Sequence, residues 1–435
     1  MEEQSARKTY KYKLVPTPAQ ERTLATVVSR CRELYNAGLQ ERKAAWEKSR
    51  VAVNFAMQSA QLPAIKEVRP EYRDINAQVL QDVLHRLEKA FAAFFRRGAA
   101  GEHPGYPRFQ GRDRYNSFTY PQVGAHGGAA LDGGVLSLSK IGRIPMRLHR
   151  PLHGTPKTVT VSREADGWYA CISCAEVPTV PFPLTGAETG IDVGLKVFLV
   201  TADGQSVAHP RHSRTAETAL KKAQQRVCRR KKGSRRRQKA VQVLARKQQH
   251  VRRQRHDFHH TTALALVRAY DTIYVEAIQP ANVSRRPAPR PDEHGTDAHN
   301  GAARKAGLNT STHDAGWRHV LWILACKAAC VGKRVEAVPP AYTTQDCAGC
   351  GERICKSLSV RTHLCTHCGL ILDRDENAAK NMLWRGQRLR GVPALAGALN
   401  REPVGCSPCG VSDICEHRSH GYALIPPPSS RTGHP

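Results

Sequence analysis

Two Cys-x-x-Cys pairs, Cys347/Cys350 and Cys365/Cys368, stand fourteen residues apart. Paired thiolate knuckles at this separation suit a tetrahedral zinc ion in a closed structural site, so the chain between them is constrained to fold back on one point. Cys355 and His367 lie inside the ribbon as competing donors, and Cys406-x-x-Cys409 with Cys415 and His417 is a weaker second candidate near the end of the chain. The chain has 14 cysteines in all. Its size, the lack of a secretory apolar stretch after Met1 and the paired spacing favour metal binding in a reducing compartment over a disulfide framework. No run approaches the roughly 18 apolar residues of a membrane span. The best candidate, His319 to Val331, is short and interrupted by Lys327. The chain therefore reads as cytosolic.

Acidic residues occur where apolar ones are expected. Gly190-Ile191-Asp192-Val193-Gly194 sets a carboxylate inside an otherwise apolar strand, and Val275-Glu276-Ala277-Ile278 repeats the anomaly at the end of another. A carboxylate in such a place is costly unless paired or metal-bound. Asp373-Arg374-Asp375 opens a helix, where acids are also favoured by the dipole. Each acid alone has an ordinary explanation as a strand-end or helix-start charge; three in this order point to two-metal phosphodiester chemistry. Two magnesium ions about 3.5–4 Å apart take carboxylate and water oxygens as ligands. Asp192 is assigned as the bridging ligand, with Glu276 and Asp375 each completing one ion. Asp373, the earlier residue, competes with Asp375 but suits the helix N-cap.

The succession of elements gives these acids a frame. An N-terminal strand (Thr9 to Val15) precedes a helix opened by a capping box, with Thr17 as N-cap, Pro18 at the first turn and Gln20 closing it. Leu24, Val27, Val28, Cys31, Leu34 and Tyr35 follow at helical spacing, and a second helix is predicted from about Ile75 to Arg97. Both apolar stripes read as core. Short strands after Gly101 (Val135–Leu138, Thr158–Val161, Trp168–Ser173) are expected to join the first in a small β-barrel, with Cys171 and Cys174 as packing residues on opposite faces. Beyond a proline-rich link at Pro181 to Thr185 come three meandering strands, then helix, strand, helix, strand, helix. This is the order of an RNase H-like mixed sheet. The segment Pro280 to Asn309 reads as a mobile loop and the last forty residues as disordered.

Charge names the partner. Lys and Arg number 67 against 37 Asp and Glu, a net charge of +30. Such a field attracts polyanions and makes their binding salt-sensitive. The stretch Lys221 to His256 holds 16 Lys or Arg and no acid, with apolar residues too sparse to drive packing. It reads as a nucleic-acid-facing helical hairpin turning near Gly233-Ser234, with Arg229, Arg230, Lys231, Lys232, Arg235, Arg236 and Arg237 as candidate contacts to the backbone rather than to sequence.

These motifs together resemble the TnpB family, RNA-guided nucleases of bacterial insertion sequences related to type V CRISPR effectors. The resemblance is carried by Lys11 to Pro18, Ser117 to Gln122, Gly190 to Leu195, Arg229 to Gly233, Asp314 to Trp317, Pro340 to Gln345 and Asp373 to Asn381. Asp375-x-Asn377-Ala378-Ala379 joined to the cysteine knuckle is the sharpest of them. The resemblance implies a multidomain α+β and α/β chain. Its parts would be a wedge β-barrel (1–16 and 101–180), a helical recognition insertion (17–100), a RuvC domain (185–340 and 371–390), an inserted zinc ribbon (341–370) and a tail (391–435). It also implies a guide RNA and double-stranded target DNA cut beside a short target-adjacent motif, in a bacterial, nucleoid-associated setting. Asp192, Glu276 and Asp375 fall on the family's three RuvC acids. Their presence argues against an RNA-guided regulator that binds without cutting, and the knuckle before the last acid argues against a DNA transposase of the acidic-triad type. Cys355 and the cysteine-bearing tail are departures from the family pattern.

Overall fold

Along strand β1 (Ser5–Leu14), Tyr10, Tyr12 and Leu14 alternate with Lys11 and Lys13 and are buried. The computed structural model describes residues 5–390 except 113, 125–126, 279–284, 286, 289–300 and 358, and forms two units that meet in sequence at Pro178 and Thr179. In the first unit β1 joins β2 (Ser117–Tyr120), β3 (Ala129–Asp132), β4 (Val135–Leu138), β5 (Gly142–Arg147), β6 (Thr155–Glu164) and β7 (Gly167–Pro178) in one antiparallel sheet of order β2-β6-β7-β1-β5-β4-β3. A bridge from Val123 to Ala129 brings the two edges toward each other, so the sheet is partly barrel-like.

Helices α1 (Pro18–Ser49), α2 (Phe55–Ala60), α3 (Leu62–Val68) and α4 (Ala77–Ala99) are inserted between β1 and β2. The capping box forms as the sequence predicts: Thr17 Oγ1 accepts from Gln20 N, and Gln20 Oε1 from Thr17 N. The apolar stripes of α1 and α4 are buried in the same core as the sheet, including Leu24, Cys31, Leu34, Leu80, Val83 and Leu87. Helix α4 starts two residues later than its periodicity suggests because Asn76 caps it. Cys171 and Cys174 are both buried.

The second unit is built on a five-stranded sheet of order β10-β9-β8-β11-β12, where β8 is Glu188–Val193, β9 Val197–Thr201, β10 Ser206–Ala208, β11 Thr272–Glu276 and β12 Arg334–Val338. The first three meander antiparallel, while β8, β11 and β12 run parallel. Helices α5 (His212–Cys228) and α6 (Arg235–Ala269) form the basic hairpin; Gly233, at φ +84°, makes its turn. The C-terminal half of α6 and α8 (Trp317–Cys330) cover one face of the sheet through Phe258, Leu266, Val320 and Leu324. Helix α9 (Arg374–Leu389) packs on Tyr274 and Val338 through Ala378 and Met382. Among the described residues no helix is long and apolar enough to cross a membrane.

One expectation is corrected. Residues 302–309, read as part of a mobile loop, belong to helix α7 (Ala302–Ala315). Ala302, Ala303, Arg304, Lys305 and Ala306 are good helix formers. The later Thr310, Ser311 and Thr312 turn their hydroxyls to the carbonyls four residues back rather than breaking the helix. Of residues 279–300 only 285, 287 and 288 are described, and the tail with Cys406, Cys409, Cys415 and His417 lies outside the described residues.

The helical side of this sheet carries a titratable cluster. His259 Nε2 donates to the Ala315 carbonyl at 2.9 Å, which leaves Nδ1 to accept from His319 Nδ1 at 3.0 Å. Burial, then the neighbouring His319, pulls His259 down to about 3, and burial with His256 and Arg255 pulls His319 to about 4. Both bind their protons more weakly folded than unfolded. Stability is therefore full above about pH 6.5 and is lost as pH falls toward 4, by about 3 kcal/mol or more. Denaturant midpoints measured from pH 7.5 to 5 should fall steeply in the parent and more gently in His319→Phe; parallel slopes would refute this.

Candidate active site and cysteine cluster

The period of two along a strand decides which side chains can meet. Ile191, Ile273 and Val275 enter the core on one face of the sheet, so Gly190, Asp192, Tyr274 and Glu276 face the other, toward α9. Parallel register pairs Tyr274 with Gly190 and Val275 with Ile191; one step on, Glu276 stands level with Asp192. Helix α9 closes on this face because two glycines let it. A Cβ on Gly190 would lie 2.1 Å from the Ala379 carbonyl oxygen, and one on Gly386 would lie 1.9 Å from the Tyr274 ring. The helix runs against β8 so that its first turn meets the strand's C-terminal end. There Asp375 Oδ2 is 3.8 Å from the position of a Cβ on Gly194.

The three acids are thus brought together. Burial, then the charges of Asp375 and Glu276, pushes the Asp192 carboxyl up to about 8 against the opposing pull of Arg374. Burial also raises Glu276. Asp375 is buried, with Arg361 Nη1 3.3 Å from both its oxygens and Arg374 Nε 3.5 Å from one. Asp373 is exposed and caps the helix, its Oδ1 accepting from Asp375 N at 2.8 Å. Both neighbouring acids oppose charge on Asp192, and carboxylate oxygens are the donors a divalent cation takes. Among the described residues, the donor atoms drawn tightly enough to hold a metal are those of the four knuckle cysteines. Sequence reasoning missed Arg361 and Arg374, which carry no signal separating them from other surface cations.

The four knuckle thiols lie within 4.8 Å of one another. Cys347 Sγ is 3.6 Å from Cys368 Sγ, and Cys350 Sγ is 3.6 Å from Cys365 Sγ. A tetrahedron with Zn–S bonds of about 2.3 Å has edges of about 3.8 Å, so the cluster fits zinc. The N–H groups of Gly349 and Cys368 donate to Cys347 and Cys365, as expected where thiolates form. Cys368 N–H leads in drawing the Cys365 thiol down to about 6. Cys355 and His367 stand outside the cluster. Of the hairpin cations, Arg229, Arg230, Lys231, Lys232, Arg235 and Arg236 are exposed. Arg237 is half-buried and donates to the Val227 carbonyl at 3.0 Å, which ties the hairpin together.

The fold is Cas12f-like, with mixed helices and sheets. The chain superposes with a TM-score of 0.50 and 12% identity on a protein in "Cryo-EM structure of the Cas12f1-sgRNA-target DNA complex", covering 87% of this chain and 98% of that one. A family profile for IS605 OrfB, described as "Probable transposase", matches residues 172–286. One described as "Cas12f1-like, TNB domain" matches 317–382. A third, described as "Helix-turn-helix domain", matches 1–50, where this structure has a strand and one long helix. A "Putative RNA-guided DNA endonuclease" of Streptomyces pristinaespiralis is 30% identical over 88% of this chain and 90% of its own length. The "Putative RNA-guided DNA endonuclease InsQ" of Escherichia coli K12 is 29% identical over 91% and 97%. The chain belongs to this family, the TnpB or IS605 OrfB proteins.

Proposed function

We propose that this protein is an RNA-guided DNA endonuclease of a transposable element, acting on target DNA in the bacterial cytoplasm at the nucleoid, through a RuvC site formed by Asp192, Glu276 and Asp375. The observation that carries the reading is the convergence of these acids on one face of an RNase H-ordered sheet, under a helix seated by Gly190 and Gly386. The likeness to proteins named as RNA-guided DNA endonucleases supplies the guide, which no spacing reveals. Asp192, Glu276 and Asp375 would hold magnesium, which when bound polarises the scissile phosphate and activates water. The chain's own part is to keep the carboxylates gathered without solvent reorganisation and to keep Asp373 occupied as a cap. The exposed hairpin cations supply backbone contacts whose strength falls with salt. The cysteine cluster holds structural zinc.

Sequencing the RNA that copurifies with the protein, then assaying magnesium-dependent cutting with that RNA, tests this directly. Asp375→Asn is expected to cut at least about 100-fold more slowly than the parent, whereas Asp373→Asn, which still caps the helix, stays within about threefold. Strong cleavage by Asp375→Asn would overturn the assignment of the third acid. Binding without cutting by the parent would favour a regulator. Joining of element ends without RNA would favour the transposase suggested by the OrfB description.

A further inference from the structure

Asp375 is gripped from two sides by the segments that carry the cysteines. Two residues beyond it, Asn377 is fully buried and both ends of its amide are engaged. Its Oδ1 accepts from Ala348 N, between Cys347 and Cys350, at 3.0 Å, and its Nδ2 donates to the Asp346 carbonyl at 2.8 Å. One turn on, Asn381 Nδ2 donates to the carbonyls of Thr343 at 2.9 Å and Asp346 at 2.6 Å. A further turn on, Arg385 reaches the Ala341 carbonyl and the Asp346 carboxylate, each at 2.6 Å. Residues four apart share a helix face, so this face of α9 is bonded to the first knuckle at Ala348 and to the segment that leads into it, Ala341 to Asp346. The second knuckle holds the start of the helix. Strand β13 (Thr362–Leu364) pairs with β14 (Ile371–Asp373), Arg374 N donates to the Arg361 carbonyl at 2.6 Å, and the Arg361 side chain lies on Asp375. The close sulfur pairs, Cys347–Cys368 and Cys350–Cys365, each cross from one knuckle to the other.

We infer that Asn377 and Asn381 are positioning residues through which the zinc-loaded cysteine cluster holds Asp375 in register with Asp192, so that zinc in the knuckle raises the affinity of the acidic site for divalent ions. The inference rests on the proposed role of the acids. A purely structural knuckle would also be damaged by losing these asparagines, so loss of activity does not decide the matter. Reciprocity does: if zinc strengthens divalent binding at the acids, divalent ions at the acids strengthen zinc binding by the same factor.

The test is a zinc competition titration of the 435-residue chain against a zinc-selective chelator, with and without saturating Mn²⁺. Manganese binding to the acids is read separately by paramagnetic resonance in the parent and in Asp192→Ala. Manganese is expected to tighten zinc binding about five- to tenfold in the parent, and equally in Cys355→Ser, whose exposed thiol lies outside the cluster. The effect should vanish in Asp192→Ala and shrink to less than about twofold in Asn377→Ala. Manganese binding that depends on Asp192, together with zinc affinity indifferent to manganese in the parent, would overturn the coupling and leave the active-site reading intact. Manganese binding indifferent to Asp192→Ala would overturn the active-site reading and the coupling with it. The parent measurement decides even if Asn377→Ala does not fold.

Discussion

Asp192→Asn is expected to lower DNA cleavage by at least about 10³-fold, some 4 kcal/mol of transition-state stabilisation, while guide RNA and target DNA bind within about twofold of the parent. The same substitution should leave the thermal midpoint in divalent-free buffer unchanged or raised. Both halves follow from one geometry. The carboxyl sits at the C-terminal end of β8, level with Glu276 and beneath the first turn of α9. Burial and two neighbouring carboxylates already oppose its charge. An amide of the same shape removes that opposition, so the fold loses nothing, but a neutral oxygen no longer balances cations at the reacting phosphate. Activity lost with stability kept or gained is the signature of a site that tolerates strain for function. Cleavage near the parent rate, or a midpoint lowered by several degrees, would contradict it.

The frame of this site is legible in the sequence because its cues are local. An acid in an apolar strand is anomalous wherever it occurs, which is what makes Asp192 a candidate. Cys-x-x-Cys pairs carry their geometry in their spacing, as the 3.6 Å sulfur pairs illustrate. The capping box at Thr17 and the stripes of α1 and α4 depend only on neighbours in the chain. What escaped depends on contacts distant in sequence. Asn377 and Asn381 carry the family resemblance, but what their amides do is visible only where α9 meets the segment around the first knuckle and buries them. Arg237 reads as one more cation of the hairpin, yet it turns back to Val227. Helices α2 and α3 are too short to establish a period. Helix α7 was hidden by its Gly and Asn content, which composition alone assigns to a loop. The guide RNA leaves no local trace in this chain, and only its likeness to relatives brings it in.

Gly190→Ala, one added methyl group, is expected to cost about 3 kcal/mol of stability and to reduce cleavage at least about 100-fold. The glycine's backbone torsion is ordinary here; what it provides is room. A Cβ at this position would stand 2.1 Å from the Ala379 carbonyl oxygen, 2.6 Å from Leu383 N and 3.0 Å from Met382 Cβ. Two of the three are backbone atoms of α9, so no rotamer change relieves the overlap and the helix must lift from the sheet. Lifting it moves Asp375 away from Asp192, and a shift of about 1 Å at reacting groups costs about two orders of magnitude in rate. Gly307→Ala is the matched control. It lies within α7 with open space where its Cβ would go, so alanine there should be neutral or stabilise by up to about 1 kcal/mol. Chemical denaturation and cleavage rates of the two variants measured side by side decide the point. If Gly190→Ala unfolds and cuts like Gly307→Ala, then α9 is not seated through Gly190, and the placement of Asp375 over the sheet must be drawn again.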